Sequence, residues 1–438
     1  MHDVVVIGGG PAGCYAAALL GKKGLDVHVL EEHSVIGEPV DCSGVIGAEA
    51  FTALALPESL KLGEIRALNF VSPSQLEVHF SPQSALAYII DRAAFDRFIA
   101  DKISASNVTL HLGSPVVDLQ VLEHGVEVTV REVSRQWPVV SREAERVNGH
   151  TKPEVGNWKF GQASSPIRAR MAILAGGPRY RLQRKLGMGR PGEFLRTAQA
   201  EVAIRGIDEA RVLIGSRVAP GSFAWIVPFR KGGDPWARVG VGAKTNAAPY
   251  LRKLLARLGE EGCLDASTVR IRSWIIPVGP LPRTYGDRVL AVGDAAGQNK
   301  PTTGGGIYYS MLCAQAAAET AVTAFEKGDF HEGAMSRYER EWRKKLGSEI
   351  KIAGFFRGLA ERLTDEEIDD LFRIVQSDGI LPAVTTKASF DWHTNVIYFA
   401  LRHLALGRVF RKALFRRGKS GVQRNPVDTP TIHRSQLS

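Results

Sequence analysis

The order of hydrophobic and polar positions at the start of the chain predicts a strand, a glycine turn, a helix and a second strand. Residues 3–7 are predicted to form a strand, with an unbroken run of apolar, β-branched side chains from residue 4, and residues 8–13 are mostly glycine. An alanine-rich stretch continues to about Lys23, and a second, largely apolar strand is predicted over residues 26–30. Short apolar runs on either side of a helical stretch are typical of neighbouring parallel strands. The first thirty residues therefore predict the opening unit of a parallel sheet.

Two later regions have other patterns. Residues 58–83 and 191–283 alternate apolar and polar positions between Gly and Pro breaks. This alternation predicts a mainly antiparallel sheet with one covered face. Residues 131–162 are polar and predict an exposed hairpin or loop insertion.

The pattern becomes helical beyond Phe330. Residues 338–362 are charged and amphipathic, and Thr364 to Glu367 has the spacing of a capping box at the start of another helix. Residues 395–415 combine regularly spaced apolar positions with basic ones, which predicts one further amphipathic helix.

The glycine turn has the spacing of a dinucleotide-binding fingerprint, G-x-G-x-x-G between a strand and a helix. Gly8 permits the tight turn, Gly10 lets the backbone approach a pyrophosphate, and Gly13 allows close packing of the helix on the strand. Ala12 belongs to the same turn, where the helix N-terminus faces the negative charge. Glu31 follows the second strand and can accept hydrogen bonds from ribose hydroxyls. These residues predict a bound dinucleotide but do not separate FAD from NAD.

A second fingerprint far downstream separates the two cofactors. An apolar strand over residues 288–292 ends in Gly-Asp, and a glycine run leads to Gly306 and Ile307 before another helix. Asp294 can bind the hydroxyls of an extended ribityl chain, and the amides of Gly306 and Ile307 can stabilise negative charge on a reduced isoalloxazine ring. NAD has no ribityl chain, so the two fingerprints together predict FAD. A purely structural strand–turn–helix is the alternative explanation of each.

With these motifs, the chain resembles the geranylgeranyl reductase family, FAD-dependent enzymes within the p-hydroxybenzoate-hydroxylase-like flavoprotein superfamily. The resemblance covers most of the chain and rests on five segments: residues 8–13, 37–44, 90–96, 220–228 and 292–297.

A combined α/β and α+β fold follows from the resemblance and from the wide separation of the two fingerprints. A discontinuous Rossmann-like FAD-binding domain would contain an inserted, mainly antiparallel β substrate domain, and a helical C-terminal region would follow. The expected boundaries are residues 1–57, 84–190 and 284–330 for the FAD-binding domain, 58–83 and 191–283 for the substrate domain, and 331–438 for the C-terminal region.

The resemblance also implies which further residues lie beside the flavin. The family's cysteine–glycine segment lies there, which assigns Cys42, Ser43 and Gly44 to the cofactor site. Arg92 is assigned a contact with FAD, where a guanidinium suits the oxygens of a diphosphate or a ribityl chain. A solvated arginine at a helix start is the alternative. Val116 is assigned to the same site.

Residues 220–228 resemble the family motif P-x-x-Y-x-W-x-F-P, which lines the isoprenoid pocket. Phe223 stands for the tyrosine and Val227 for the phenylalanine. Strand alternation puts Phe223, Trp225 and Val227 on one face, as the wall of an apolar tunnel requires. The predicted substrate-binding residues are Phe223, Trp225 and Pro228. An aromatic core strand is the alternative.

The function implied by the resemblance is reduction of isoprenoid double bonds in a prenyl lipid, quinone or pigment precursor. Such a reduction needs a hydride from reduced flavin on one carbon and a proton on the other. The competing prediction is an FAD-dependent monooxygenase or halogenase acting on an apolar substrate. Two departures favour the reductase, since residues 175–177 replace the Asp-Gly pair of the monooxygenases and Gly297 replaces their histidine.

Several partners and alternatives stay open at this point. A halogenase would also need a lysine near the substrate, which the sequence does not place. A flavin-binding regulator without turnover is the non-enzymatic alternative. The electron donor is open among NAD(P)H, ferredoxin and a quinol.

Cys42 is the catalytic candidate, because its thiol is expected beside the flavin and could donate the proton. It could instead pair with Cys313 on the helix after the glycine run. The four cysteines have no zinc or redox spacing, so neither a disulfide scaffold nor a metal site is predicted.

The net charge of +10 is concentrated near the C-terminus. Eight Lys and Arg residues and no acidic residue lie between Arg402 and Arg424, and without these eight the net charge falls to +2. A basic amphipathic helix can lie on anionic lipid headgroups. The alternative is a helix packed on the body with a solvated basic face, or a disordered end. Nucleic acid is not a predicted partner.

No secretory signal pattern and no run of 18 apolar residues is present. The predicted location is cytoplasmic, with peripheral contact at the inner face of the cytoplasmic membrane as the extension of that prediction.

Overall fold

A computed structural model describes residues 1–104, 106–131, 159–160, 165–264, 269–377 and 379–415 of the chain. The α-helices, numbered in chain order, are α1 (Pro11–Gly21), α2 (Ala48–Ala53), α3 (Arg92–Ser104), α4 (Arg181–Lys185), α5 (Ala248–Glu260), α6 (Ile307–Lys327), α7 (Glu332–Ala360), α8 (Asp365–Ser377), α9 (Ile380–Lys387), α10 (Thr394–Arg402) and α11 (Leu404–Phe415). Short 3-10 helices cover Glu58–Leu60 and Gly293–Ala296.

Within the described residues, the largest sheet has nine strands and a parallel centre. Its strands are β1 (His2–Ile7), β2 (Val27–Leu30), β8 (Val108–His111), β9 (Val116–Leu122), β10 (Gly125–Val130), β11 (Lys159–Phe160), β12 (Ile167–Leu174), β18 (Tyr285–Gly286) and β19 (Val289–Ala291). The order runs β11-β8-β2-β1-β12-β10-β9, and β19 pairs in parallel with β12. The strand–turn–helix–strand unit predicted at the start of the chain is confirmed as β1, α1 and β2.

This arrangement brings four loops to one edge of the sheet. Parallel strands end on the same side, so the loops after β1, β2, β12 and β19 meet there. Helices α1, α3 and α6 cover one face and bury an apolar core with the strands. Both predicted fingerprints belong to this edge, since they follow β1 and β19.

A second sheet has seven strands. They are β5 (Leu68–Val71), β6 (Glu77–Phe80), β13 (Glu193–Ala203), β14 (Ala210–Ile214), β15 (Phe223–Lys231), β16 (Asp234–Ala243) and β17 (Arg272–Val278), in the order β17-β13-β16-β15-β14-β5-β6. All pairs are antiparallel except β14 with β5. One face packs on α5 through Leu251, Leu254 and Leu258.

A small third sheet joins the other two. It consists of β3 (Val45–Gly47), β4 (Lys61–Ile65) and β7 (Ala87–Ile90), with β7 in the centre. Side chains of β4 and β7 share an apolar cluster with Val227 and Phe229 of β15. The small sheet therefore packs against the seven-stranded sheet. Helix α3 follows β7 in the chain and leads to β8 of the nine-stranded sheet.

The helical C-terminal region differs from the sequence prediction in one respect. The capping box is confirmed, because the Thr364 amide donates to Glu367 Oε2 at 3.0 Å and the Glu367 amide donates to Thr364 Oγ1 at 3.2 Å. The single helix predicted over residues 395–415 is wrong: α10 ends at Arg402, and the backbone of the next residue, His403, is extended. The two helices approach closely at Gly407, where a Cβ would lie 2.5 Å from the Leu401 carbonyl oxygen.

Some predictions concern residues that the structure does not describe. Most of the hairpin or loop insertion expected at residues 131–162 lies outside the described residues, as do the basic positions 416, 417, 419 and 424. Among the helices that are described, none combines the length and the apolar character needed to cross a bilayer.

Candidate functional site

One large cavity opens at the loop edge of the nine-stranded sheet and continues between the seven-stranded sheet and the C-terminal helices. Its volume is about 1340 Å³. Single-ligand sites usually occupy about 300–1,000 Å³, so this cavity has room for a cofactor and part of a substrate. Both glycine turns line it, Gly8–Gly10 before α1 and Gly304–Gly306 before α6. The two fingerprints therefore meet at one cavity.

The first turn is shaped by close backbone contacts. Gly8 has a φ of +111°, and a Cβ there would lie 2.5 Å from the Ala175 carbonyl oxygen. A Cβ on Gly13 would lie 2.0 Å from the Gly8 carbonyl oxygen, which explains the glycine although Gly13 does not line the cavity. Gly10 meets nothing within 4 Å on its Cβ side. Gly10 thus leaves open space at the N-terminus of α1, where a diphosphate would fit.

Glu31 lies directly after β2 and points its carboxylate at the first turn. Its side chain is buried and lines the cavity. The Gly9 amide donates to Glu31 Oε2 at 2.6 Å, and the His33 amide donates to Oε1 at 2.9 Å. Two backbone donors therefore fix a carboxylate at the position from which ribose hydroxyls would be bound.

The second turn places another carboxylate in the same cavity. Asp294 follows β19 and lines the cavity, and a Cβ on Gly306 would lie 3.3 Å from its Oδ1. Burial raises the pKa of Asp294 to about 6, although a hydrogen bond with Asn299 and the charge of Arg92 pull it down. Ligand hydroxyls that donate to this carboxylate would relieve the cost of burying its charge.

The two turns are in direct contact. A Cβ on Gly293 would lie 3.2 Å from the Cβ of Ala12, which also lines the cavity. Gly306 precedes the first residue of α6, Ile307, and both line the cavity. The N-termini of α1 and α6 therefore both face the cavity, and each presents unpaired amides to an anionic group.

Gly297 cannot be replaced by a residue with a side chain, for a steric reason that the sequence did not reveal. Its φ is +69°, and a Cβ would lie 2.2 Å from the Gly279 carbonyl oxygen. A side chain at this position, such as a histidine, would collide with the backbone after β17.

The segment with Cys42, Ser43 and Gly44 lies next to Arg92, which interacts with Cys42. Cys42 and Ser43 line the cavity, whereas Gly44 does not. Arg238, a buried residue of β16, donates from Nη1 to the Ser43 carbonyl oxygen at 2.8 Å and to the Ile90 carbonyl oxygen at 3.1 Å. A Cβ on Gly44 would lie 2.3 Å from this Nη1. Arg238 thus connects the cysteine segment to the small sheet and to the seven-stranded sheet. The sequence analysis did not identify this residue.

Arg92 is the first residue of α3 and lines the cavity, as does Asp96 one turn later. Its Nη2 donates to Asp96 Oδ1 at 2.8 Å and Oδ2 at 3.0 Å. Burial alone lowers the pKa of Arg92, but Asp96 and Cys42 outweigh it, so the pKa lies above its ordinary value. Arg92 is a charged residue whose side chain is 13% exposed and paired with Asp96, rather than a solvated one. Val116, the first residue of β9, also lines the cavity.

Strand β15 supplies an aromatic wall. Phe223 and Trp225 line the cavity with ring centroids 5.9 Å apart, and Val227 lines it as well. Pro228 lies on the opposite face of the strand by alternation and does not line the cavity. The structure thus separates Pro228 from the two aromatic residues with which it was predicted.

Trp225 is held in place by its neighbours. It lies across Gly240 of β16, where a Cβ would be 2.2 Å from the indole ring. Its Nε1 donates to Gln199 Oε1 at 3.2 Å, and Gln199 Nε2 donates to the Cys42 carbonyl oxygen at 3.3 Å. Gln199 therefore links the aromatic wall to the cysteine segment. Gln199 could not be identified from the sequence, because Cys42, Gln199 and Trp225 are far apart in the chain.

A buried ion pair also faces the cavity. Lys300 Nζ lies 2.8 Å from Asp391 Oδ1 and donates to the Phe390 carbonyl oxygen at 3.0 Å. Burial lowers the pKa of Lys300, and the carboxylate of Asp391 partly restores it. His393 lies beside the pair and shares a 2.6 Å hydrogen bond with Thr302 Oγ1. The connection between α9 and α10 therefore reaches the second glycine turn, a contact that the sequence did not indicate.

The far part of the cavity is mainly apolar, although Arg357, Glu361 and Asp365 also line the cavity. Its lining comes from the C-terminal helices and the edge of the seven-stranded sheet, and includes Phe70, Phe80, Phe356, Leu363, Ile368, Leu371, Phe372, Val384 and Phe410. A long hydrocarbon chain would be desolvated along this wall.

The pairing of Cys42 with Cys313 is not formed in the structure. All four cysteines are free. Cys313 is fully buried in the core under α6 and does not line the cavity, and burial raises its pKa. Of these two thiols, only Cys42 has access to the cavity.

Together, the parallel sheet, the two glycine turns and their shared cavity define a flavoprotein oxidoreductase with a Rossmann-type cofactor fold. Residues 6–41 match the family of NAD(P)-binding Rossmann-like domains, and residues 243–379 match the lycopene cyclase protein family.

Curated relatives identify the family. A digeranylgeranylglycerophospholipid reductase of Methanothermobacter thermautotrophicus is 30% identical over 394 residues, which cover 86% of this chain and 93% of the relative. A digeranylgeranylglycerophospholipid reductase of Methanocaldococcus jannaschii is 29% identical over 383 residues, covering 85% and 90%. The chain belongs to this geranylgeranyl reductase family, which confirms the resemblance drawn from its motifs.

Solved structures share the fold. A geranylgeranyl bacteriochlorophyll reductase-like protein of Thermoplasma acidophilum superposes with a TM-score of 0.75 at 20% identity, covering 94% of this chain and 98% of that one. A flavin-dependent brominase superposes with a TM-score of 0.63 at 17% identity, covering 94% and 98%. This shared fold agrees with the flavoprotein fold and the FAD cofactor that the two fingerprints predicted.

Proposed function

We propose that the protein is an FAD-dependent reductase that saturates geranylgeranyl-type double bonds of a prenyl lipid. The family membership supports the reaction. The observation that carries the proposal is the single cavity, since both cofactor fingerprints line one part of it and mainly apolar side chains line the rest. A polar cofactor and a hydrocarbon chain would meet where these two parts join.

The cofactor's polar groups find matching residues in the first part of the cavity. The open side of Gly10 and the N-terminus of α1 suit the diphosphate, and the fixed carboxylate of Glu31 suits the adenosine ribose. Asp294 and Arg92 suit the ribityl hydroxyls and nearby oxygens, while the amides of Gly306 and Ile307 suit the flavin ring. When bound and reduced, FAD supplies the hydride.

The protein's own residues then position the alkene and exclude water. Phe223 and Trp225 form an aromatic wall, and Gln199 restrains the indole of Trp225 at 3.2 Å. An alkene held against this wall is fixed in orientation in a dry site, which lowers the entropic cost of the reaction.

Cys42 is the proposed proton donor. Its side chain is half-buried and lines the cavity, and its segment is held by Arg238 and Gln199. A thiol at this position would deliver a proton to the carbon that does not receive the hydride. Cys42→Ser keeps the size of the side chain and should lower the rate of product formation without changing the affinity for FAD.

The division of labour follows the sheets. We assign FAD binding to residues 1–57, 84–190 and 284–330, substrate binding to residues 58–83 and 191–283, and closure of the cavity to the C-terminal region from residue 331. Strand β4 of the substrate-binding part pairs with β7 of the FAD-binding part, so the small sheet contains strands of both parts.

Peripheral membrane contact is supported by α11. One face of this helix carries exposed Leu404, Arg408, Arg411 and Phe415 at helical spacing, while Phe410 packs inward. Basic residues near an anionic bilayer contribute about 1 kcal/mol each. Vesicles with anionic lipid should bind the protein, and Arg408→Glu together with Arg411→Glu should reduce the bound fraction. Equal binding to neutral vesicles would contradict this assignment.

The decisive test of the reductase assignment uses light instead of a natural electron donor. Protein loaded with FAD is photoreduced without oxygen and mixed with a geranylgeranyl lipid, and the lipid is then analysed by mass spectrometry. Each saturated double bond should add two hydrogens while the flavin returns to its oxidised spectrum. Full flavin reduction with unchanged lipid mass would count against the proposal.

A halogenase is the second candidate, and Lys300 is the observation that favours it. Its amine lies in the cavity lining, where the sequence had placed no lysine. The amine is engaged by Asp391 and the Phe390 carbonyl oxygen, which weakens this candidate. Oxygen and bromide supplied with reduced flavin distinguish the two, because only a halogenase would give a brominated product.

A further inference from the structure

We propose that His2, Asp26 and His28 form a binding site for a divalent transition-metal ion, with zinc as the best-matched ion. The three residues lie at the amino ends of β1 and β2, the end of the sheet opposite to the cofactor loops. The proposal does not depend on the function assigned above.

The geometry brings one ligand atom from each residue together. The three candidate atoms all lie within 4.8 Å of one another. His2 Nδ1 is 2.8 Å from Asp26 Oδ2, and His28 Nε2 is 3.4 Å from Asp26 Oδ1. Tetrahedral ligands about 2.0–2.1 Å from zinc lie a little over 3 Å from one another, so small rotations would allow a shared ion.

His111 supplies the contact that usually supports a metal-binding imidazole. It is the last residue of β8, is 4% exposed, and its Nε2 lies 2.8 Å from His28 Nδ1. If His28 donates from Nδ1 to His111, its Nε2 lone pair points toward Asp26 and is available for an ion. Such outer hydrogen bonds fix the tautomer and the ring orientation of metal-ligating histidines.

The site is accessible and has the ligand chemistry of zinc. The side chains of His2 and Asp26 are 36% and 44% exposed, so an ion can enter from solvent. Two imidazole nitrogens with one carboxylate oxygen suit zinc, whereas magnesium and calcium prefer oxygen ligands only. The nearby Asp3 does not compete, since it accepts from the Asp26 amide at 3.0 Å and lies near Arg170.

Sequence reasoning did not find this site. Asp26 and His28 are close in sequence, but His2 is brought to them by the pairing of β1 with β2, and His111 by the pairing of β2 with β8.

The experiment uses full-length protein carrying FAD, freed of metal by a chelator and titrated with Zn²⁺ by calorimetry. Co²⁺ is added in parallel, because its visible absorption reports the coordination geometry. One ion should bind per chain and raise the melting temperature. His28→Ala should weaken Zn²⁺ binding at least tenfold, and His111→Ala should weaken it about 10–100-fold, as loss of an outer-shell partner does.

Matched variants separate this site from other binding. His111→Gln keeps a side-chain acceptor and should restore much of the affinity lost in His111→Ala. His79→Ala removes an exposed histidine 3.3 Å from Glu209 and should leave Zn²⁺ binding unchanged. The FAD absorption spectrum should be the same with and without Zn²⁺. Absence of Zn²⁺ binding, or binding that survives His28→Ala, would overturn the proposal.

Discussion

Replacing Asp391 by Asn tests how strongly the buried ion pair beside the second glycine turn depends on both partners. The side chains of Lys300 and Asp391 are only 5% and 3% exposed. Asn keeps the shape of Asp but removes the charge that lies 2.8 Å from Lys300 Nζ. The ammonium would then be contacted by neutral groups: the amide oxygen of the new Asn, the Phe390 carbonyl oxygen at 3.0 Å and the Phe390 ring at 4.5 Å.

We expect Asp391→Asn to lower the free energy of unfolding by about 3–5 kcal/mol, because a buried charge loses its partner. Lys300→Met should cost a similar amount, since it leaves the carboxylate of Asp391 unpaired. The double variant removes both charges of the pair, so its loss should be smaller than the sum of the two single losses by at least about 1.5 kcal/mol.

Urea unfolding, followed by tryptophan fluorescence and circular dichroism, measures these differences. The control is Asp370→Asn, which breaks the Asp370–Arg373 pair with side chains 57% and 59% exposed. An exposed pair is worth less than about 1 kcal/mol. The reasoning fails if Asp391→Asn costs no more than this control, or if the two single losses simply add in the double variant.

Three further predictions concern the cavity. Glu31→Gln keeps the shape of the side chain but removes the charge that suits the ribose. The affinity for FAD, measured by flavin fluorescence, should therefore fall about tenfold. An unchanged affinity would mean that Glu31 does not bind the cofactor. The pKa of Asp294, about 6 when folded against an ordinary 3.8, means that the folded state binds this proton more tightly. The free energy of unfolding of the FAD-free wild type, relative to that of Asp294→Asn, should therefore be greatest below about pH 4. It should fall by up to about 3 kcal/mol as the pH rises through 6. A difference between the urea midpoints of the two proteins that stays constant with pH would refute this. Gly240→Ala should push the Trp225 indole from the cavity wall, because the added Cβ would lie 2.2 Å from it. Prenyl reduction should fall while FAD binding persists. Gly192→Ala serves as the control, because Gly192 is exposed just before β13 and a Cβ added there meets nothing within 4 Å.

The part of the cavity around the two glycine turns could be predicted because its determinants are local. A glycine turn, a helix N-terminus and a following carboxylate act over a few residues, so spacing alone identified Gly8, Gly10, Glu31, Asp294 and Gly306 as candidates, and all of them line the cavity. Parallel pairing of β1, β2, β12 and β19 then brings these local signals to one edge, as the carboxyl ends of parallel strands must meet.

The substrate half was only partly predictable. Alternation along one strand identified Phe223 and Trp225, since the period of two follows from backbone geometry. It gave no sign of Gln199 or of Gly240 beneath the indole, because both belong to other strands of the sheet. Their roles depend on the register of the seven-stranded sheet, which the sequence does not state.

The sequence by itself determined the cofactor, the order of the main elements and the family. Only the tertiary structure decided which distant residues share a contact: Arg238 with the cysteine segment, Lys300 with Asp391, and His2 with His28. It also broke the expected C-terminal helix at His403. The physical reason is that backbone signals act over one turn or one strand, whereas burial, charge pairing and close approach arise only when separate segments pack together.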